Sequence, residues 1–218
     1  MGRRSLPKID PNVDLAGYFL EWESLPRPCT SQSLFGRDAP WEIEVGSGKG
    51  LFLAGASAAR PGVDFLGIEL AYKYARFAAY RLAKRGAGNV KVACADGLRV
   101  FHECVPDDVV TAVHVYFPDP WWKKRHKKRR VMNEAFLADV YRVLMPGGVL
   151  HFWTDVQEYY ETTLELIAAI ARFEGPLSVE ERAAEHDLDY RTHFERRTRL
   201  HELPVYRAEF RKPRVSGI

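Results

Sequence analysis

Cysteine is scarce: Cys29, Cys94 and Cys104 are an odd set with no C-x-x-C pair among 218 residues. This excludes a disulfide framework and a zinc ribbon, and predicts inert core thiols, no bound metal and a reducing, cytoplasmic setting. Long hydrophobic runs are missing too. The longest weakly polar stretch, Leu51 to Ala59, falls far short of the roughly 20 residues of a spanning helix, and Met1 to Asp10 has no signal-peptide core. No membrane association is expected. Repeats and low-complexity linkers are also absent. The economical organisation is therefore one domain, residues 38–218, behind an N-terminal extension, residues 1–37, which is rich in Pro, Ser and Arg and expected to be partly disordered.

A large charge excess is lacking as well, since the net charge is only +3. Its distribution says more than its sum. Residues 123–130 read Lys-Lys-Arg-His-Lys-Lys-Arg-Arg, seven formal positives without an acid, and the rest of the chain is net −4. Residues 131–190 hold 3 basic and 12 acidic residues, whereas 191–218 hold 8 basic and 3 acidic. Two cationic segments flank an acidic one, a pattern that suits a polyanionic partner. With 46% hydrophobic and 28% charged residues, the chain has enough apolar material for a real core.

From Trp41 onward, apolar runs alternate with helical periodicity. Strands are predicted at Trp41 to Val45, Asp64 to Leu70, Val90 to Ala95, Ala112 to Phe117, Val149 to Trp153 and Val205 to Phe210. Helices are predicted up to Arg60-Pro61, on the face Tyr72, Ala75, Ala79, Leu82 and Ala83, after Asn133, and after Asp155. This alternation predicts an α/β fold with a doubly wound, mostly parallel sheet, whose ligands bind beyond the carboxyl ends of the strands. The residues just after the strands are Gly46 to Gly50, Glu69, Asp96, Asp119 and Asp155.

Glu44-Val45-Gly46-Ser47-Gly48-Lys49-Gly50 joins a strand to a glycine turn and a helix start. It is neither a P-loop nor G-x-G-x-x-G; acid-x-G-x-G-x-G is a pattern of S-adenosylmethionine sites, and equally of an ordinary tight turn. Glu69, 23 residues after Gly46, is near the spacing at which an acid accepts ribose hydroxyls. A solvated strand-end acid has the same appearance. Asp96 can face an adenine amino group or merely shape an Asp-Gly turn. Several acids around one site suit a sulfonium better than a pyrophosphate, which disfavours NAD, and no residue set for hydride chemistry is visible. Phe117-Pro118-Asp119-Pro120-Trp121-Trp122 then brings a proline-braced acid and two indoles directly before the cationic run. Such a combination stacks bases and neutralises phosphates; a solvated patch is the plainer reading.

Glu44 to Gly50, Gly67-Ile68-Glu69, Phe117 to Arg130, Trp153-Thr154-Asp155 and Thr192-His193-Phe194-Glu195 together resemble the bacterial single-chain tRNA (guanine-N7-)-methyltransferase family, over roughly residues 40–211. The resemblance implies a Rossmann-like class I methyltransferase with a seven-stranded sheet. It implies S-adenosyl-L-methionine contacts at Glu44, Gly46, Gly48, Glu69, Asp96 and Asp119, with Asp119 catalytic. It further implies substrate contacts at Lys123, Asp155, Thr192, His193, Phe194 and Glu195, and tRNA contacts at Arg125, His126, Lys127, Lys128, Arg129 and Arg130. The implied reaction methylates N7 of a guanosine in the tRNA variable loop, at position 46 of the tRNA. Both Asp155 to Glu158 and Thr192 to Glu195 also fit helix capping boxes, a purely structural role. A methyltransferase of another nucleic acid and a non-catalytic RNA-binding module are the rival readings, and monomer and homodimer both stay open.

Overall fold

A computed structural model describes residues 6–170, 172–179, 192–201 and 203–214. The strands are β1 (Phe19–Glu21), β2 (Trp41–Val45), β3 (Asp64–Glu69), β4 (Val90–Cys94), β5 (Val110–Tyr116), β6 (Leu144–Thr154), β7 (Glu174–Leu177) and β8 (Tyr206–Arg211). The helices are α1 (Ser31–Phe35), α2 (Leu51–Ala59), α3 (Tyr72–Ala83), α4 (Gly97–Glu103), α5 (Glu134–Val143), α6 (Gln157–Ile170) and α7 (His193–Leu200), with 3-10 turns at Trp22–Ser24 and Lys124–Arg129.

All eight strands form one sheet in the order β1-β4-β3-β2-β5-β6-β8-β7. Strands β1 to β6 pair in parallel, while β8 runs antiparallel to both β6 and β7. The doubly wound expectation is met with one strand more than the seven expected. The addition is β1, three residues of the N-terminal segment that pair with Val92, Ala93 and Cys94 of β4.

Period-two alternation sorts the core into two layers. Trp41, Ile43 and Val45 of β2 join Leu66 and Ile68 of β3 in a cluster with Phe101 of α4, Phe136 and Leu137 of α5, and Tyr159 of α6. On the opposite face Phe52 and Leu53 of α2 and Ala75, Ala78, Ala79 and Leu82 of α3 pack with Phe65, Val92 and Tyr116. The small residues of α3 let it lie close: a Cβ on Gly50 would sit 2.9 Å from the Ala78 Cβ, and Gly50 also has a left-handed φ of +67°. Glycine is the residue that meets both demands. Asn133 caps α5 by accepting from Phe136 N at 3.0 Å, a bond worth about 1 kcal/mol. Met145-Pro146-Gly147-Gly148, just after the end of α5, belongs to the start of β6.

Cys29 and Cys104 are buried and Cys94 is half-buried, all three as free thiols. Burial pushes the Cys29 thiol up to about 12, so it carries no reactive thiolate. No helix among the described residues is long and apolar enough to cross a membrane.

Candidate active site

A cavity of about 680 Å³ opens beyond the carboxyl ends of β2, β3, β4 and β5. The strand order turns at β2, since β3 lies on one side of it and β5 on the other; crevices at such switch points are the usual ligand sites of open α/β sheets. Ile68, Leu70, Ala95, Leu98 and Val131 give the cavity an apolar lining. Gly46, Glu69, Asp96 and Asp119 line it too, and Lys128 and Arg129 stand at the same wall.

The glycine turn forms part of the floor. Gly46, Gly48 and Gly50 all have left-handed φ values, +81°, +53° and +67°. Gly46 N and Ser47 N donate to Ile68 O at 2.8 and 3.1 Å. Gly48 N donates to Glu69 Oε2 at 2.9 Å, and Ala71 N to Glu69 Oε1 at 2.8 Å. Glu69 thus ties the turn after β2 to the turn after β3 and still has lone pairs for a ligand, because a carboxylate offers about four acceptor sites. Asp96 caps α4 by accepting from Leu98 N at 2.9 Å, and it remains exposed at the cavity.

Glu44 lies deeper, buried at 3% exposure. Its Oε2 has no hydrogen-bond partner. Burial, with the Glu69 charge added, pushes its carboxyl up to about 8. Two residues earlier, Glu42 is also buried, yet well supplied. The Arg60 guanidinium donates to both of its oxygens at 2.5 and 2.9 Å, and His114 Nε2–H donates to Oε2 at 2.8 Å. Burial alone pushes Glu42 up, but the bonds from His114 and Arg60 outweigh it and hold the group at about 2. The other His114 nitrogen, Nδ1, is 2.8 Å from the hydroxyl of Tyr116, and Tyr116 lines the cavity. The sequence reading missed this chain from Arg60 to Tyr116. Two acids at alternate positions of a buried strand were its available signal, because a buried charge needs partners.

Asp119 is exposed in the loop after β5. Its neighbours Phe117 and Trp121 both have left-handed backbones, φ +49° and +46°. Non-glycine residues with such a φ are uncommon, and strain of this kind concentrates at functional sites. The loop is anchored from below by Arg130, which donates Nε–H to Pro120 O at 2.9 Å and Nη2–H to Glu158 Oε2 at 2.6 Å. Its guanidinium also lies over the Tyr159 ring at 4.3 Å. Lys127 reaches the same carboxylate at 2.6 Å. The bonds from Arg130 and Lys127 hold Glu158 at about 2.

Arg130, grouped by sequence with the RNA-contacting cations, is therefore turned inward and only 7% exposed. Lys123, Lys124, Arg125, Lys128 and Arg129 are exposed instead. Trp121 is half-buried between Arg129, 5.1 Å over its ring, and His126, whose ring centroid is 5.9 Å away. Trp122 is 70% exposed.

Asp155, Thr192 and Glu195 are not among the described residues that line the cavity. Asp155 is half-buried at the end of β6. Thr192 Oγ1 accepts from Glu195 N at 2.9 Å, the capping geometry that the spacing allowed. Glu195 is buried at 2% exposure and pairs with Arg199 at 3.4 Å and Arg207 at 3.6 Å. The side chains of His193 and Phe194 fall outside the described residues.

Two comparisons with known sequences identify the family. Residues 38–208 match the family described as "Putative methyltransferase". A curated tRNA (guanine-N(7)-)-methyltransferase of Rhodopirellula baltica is 50% identical over 97% of this chain and 80% of its own length. The chain belongs to the tRNA (guanine-N7-)-methyltransferase family. A second curated protein of that name, from Alcanivorax borkumensis, is 42% identical over 65% of this chain, and the match spans 59% of its length. Solved structures agree on the fold. A 16S rRNA (adenine(1408)-N(1))-methyltransferase from Catenulisporales acidiphilia superposes with a TM-score of 0.54 at 19% identity, covering 83% of this chain and 89% of that one. A SAM-dependent O-methyltransferase from Thermotoga maritima gives 0.53 at 16% identity, covering 86% and 64%. The class I methyltransferase fold is thus common to the tRNA (guanine-N7-)-methyltransferase family and to enzymes with other acceptors.

Proposed function

We propose that this protein transfers the methyl group of S-adenosyl-L-methionine to N7 of a guanosine in the variable loop of tRNA, at position 46 of the tRNA, and that it works in the cytoplasm. The observation that carries the reading is the position of Asp119: a carboxylate at the mouth of a cavity with acids on its strand-end side and exposed cations on the other.

The donor fits the residues present. About 680 Å³ is ample for a nucleoside-sized ligand. Gly46, left-handed at φ +81°, lines the cavity without a Cβ. In this reading Glu69 and Asp96 accept from ribose hydroxyls and from an adenine amino group, and the apolar side chains of the lining pack on the base. Glu44, whose Oε2 has no partner, lies beneath the turn as an acid for the cationic part of the ligand. S-adenosyl-L-methionine supplies an electrophilic methyl group on a sulfonium.

Guanine N7 has an in-plane lone pair, so the acceptor needs no prior deprotonation and the site needs no strong base. Asp119 has two tasks instead. Its carboxylate accepts from guanine N1–H and the 2-amino group, which selects guanine over adenine, and it stabilises positive charge arriving on the purine. An ion pair at about 4 Å in a half-wet site is worth roughly 4 kcal/mol. Alignment of the reactants is the other requirement, and the braced Pro118-Asp119-Pro120 loop supports it. Trp121 and Trp122 are candidate stacking partners for a base drawn out of the folded RNA. Exposed Lys123, Arg125, Lys128 and Arg129 neutralise phosphates at the rim.

The decisive experiment incubates the protein with unmodified tRNA and methyl-labelled S-adenosyl-L-methionine and analyses the nucleosides. Label in N7-methylguanosine is the expected result; label in any other nucleoside, or none, overturns the assignment.

A further inference from the structure

A second cationic surface lies away from the cavity rim. Between Glu69 and Asp96 the chain has six basic residues and no acid. Four of them, Lys73, Arg76, Lys84 and Arg85, are exposed on α3 and the turn that follows it. None of the four forms an ion pair among the described residues, whereas Lys127 and Arg130 of the 123–130 run are both tied to Glu158. At about 100° per residue, Lys73, Arg76, Tyr80 and Lys84 fall within one narrow face of the helix. The opposite face holds the buried Ala75, Ala78, Ala79 and Leu82. Tyr72 is 51% exposed at the first turn, and the ammonium groups of Lys73 and Lys84 lie 5.2 and 5.8 Å from the rings of Tyr74 and Tyr80. Cations alternating with aromatic rings, unpaired by acids, are the composition of a nucleic-acid-facing surface.

Placement supplies the second argument. Leu70, at the end of β3, lines the cavity, and α3 begins two residues later. Its 12 residues run back along the sheet for roughly 18 Å. We propose that α3 is a second RNA-binding surface, holding the sugar-phosphate backbone of the same RNA whose loop enters the cavity, with Lys73, Arg76 and Lys84 as the phosphate contacts. The proposal rests on the reading of the protein as a tRNA methyltransferase. Because α3 leads away from the cavity, only an RNA that extends beyond its reacting loop reaches the far end, so this surface favours folded tRNA over an isolated hairpin.

The test compares the wild type with the Lys73→Gln/Arg76→Gln/Lys84→Gln variant, binding full-length tRNA and a short hairpin that contains only the reacting loop across a salt series. For tRNA, the slope of log affinity against log salt is expected to fall by about 2 to 3, and affinity at 0.1 M salt by roughly tenfold to a hundredfold, from three contacts at about 0.7 to 0.9 each. The hairpin should bind both proteins equally, and turnover at saturating tRNA should be unchanged. An unaltered slope for tRNA overturns the proposal and leaves α3 as a solvated face or a site for an acidic protein. An equal loss for tRNA and hairpin also overturns it, because the effect then belongs to the cavity rim. If the triple variant unfolds, Lys73→Gln/Lys84→Gln is read in the same way against an expected slope change of about 1.5. If tRNA binds with the expected α3 dependence but the product is not N7-methylguanosine, the methyl-transfer reading fails while the α3 surface stands.

Discussion

Glu42 and Glu44 stand two residues apart on β2, point to the same face of the sheet and are both buried, at 7% and 3% exposure. Their chemistry is opposite. Glu42 has an arginine and a histidine and is held at about 2; Glu44 has burial and a neighbouring acid and is pushed up to about 8. Sequence position and burial do not separate them, but the partners do. An acid whose acceptors are filled inside the protein is part of the scaffold. One left without a donor, as Glu44 Oε2 is, is available to a cationic or hydrogen-bonding ligand.

The largest effect that tests this contrast is on folding. Glu42→Ala leaves His114 and Arg60 without their shared carboxylate and should destabilise the protein by about 4 kcal/mol in chemical denaturation; a loss below about 1 kcal/mol would erase the distinction. Asp119→Asn extends the comparison to an exposed acid. Turnover should fall roughly a hundredfold, equivalent to about 2.7 kcal/mol, with tRNA affinity and denaturation midpoint held; unchanged turnover removes Asp119 from catalysis.

Glu44 comes next. Its native pKa lies above its unfolded value, 4.5, so the native state keeps a proton that the unfolded chain has released. Stability therefore falls as pH rises between those values, by roughly 2 kcal/mol from pH 6 to pH 8 in the ligand-free protein, and Glu44→Gln should flatten that slope. A wild type and variant with parallel pH profiles would show that the carboxyl is solvated after all. The smallest effect belongs to Glu158, held low by Arg130 and Lys127. Its contribution is present above about pH 4.5 and lost as pH falls towards about 2. Because its side chain is 46% exposed, Glu158→Gln should cost at most about 1 kcal/mol at neutral pH. The measurement is a pair of thermal melts, whose difference should vanish in acid.

Much of the frame was legible because it rests on local periodicity. Trp41 to Val45 reads as a strand and is one residue for residue, and Asn133 reads as a cap and is one. The strand-end acids Glu69, Asp96 and Asp119 were legible for the same reason, since a parallel sheet places the ends of neighbouring strands side by side. Features decided by distant partners were not. Arg130 is indistinguishable from its neighbours in a run of cations until Glu158 and Tyr159 of α6 meet it. β1 and β7, with three and four residues, are too short for a period to register, and pairing with an edge supplies what their own pattern lacks. The cations of α3 were legible in principle as an acid-free interval, but the denser run at 123–130 overshadows them.

The two left-handed residues around Pro118-Asp119-Pro120 have an entropic consequence. Each holds its backbone in a small, sparsely populated region, and the two prolines fix φ between them. Few conformations are left for the loop to explore once the rest of the fold has set. The entropy of ordering Asp119 is thus lost once, when the chain folds, rather than at every encounter with RNA. The loop that presents Asp119 then adds little ordering entropy to the enzyme's encounter with RNA.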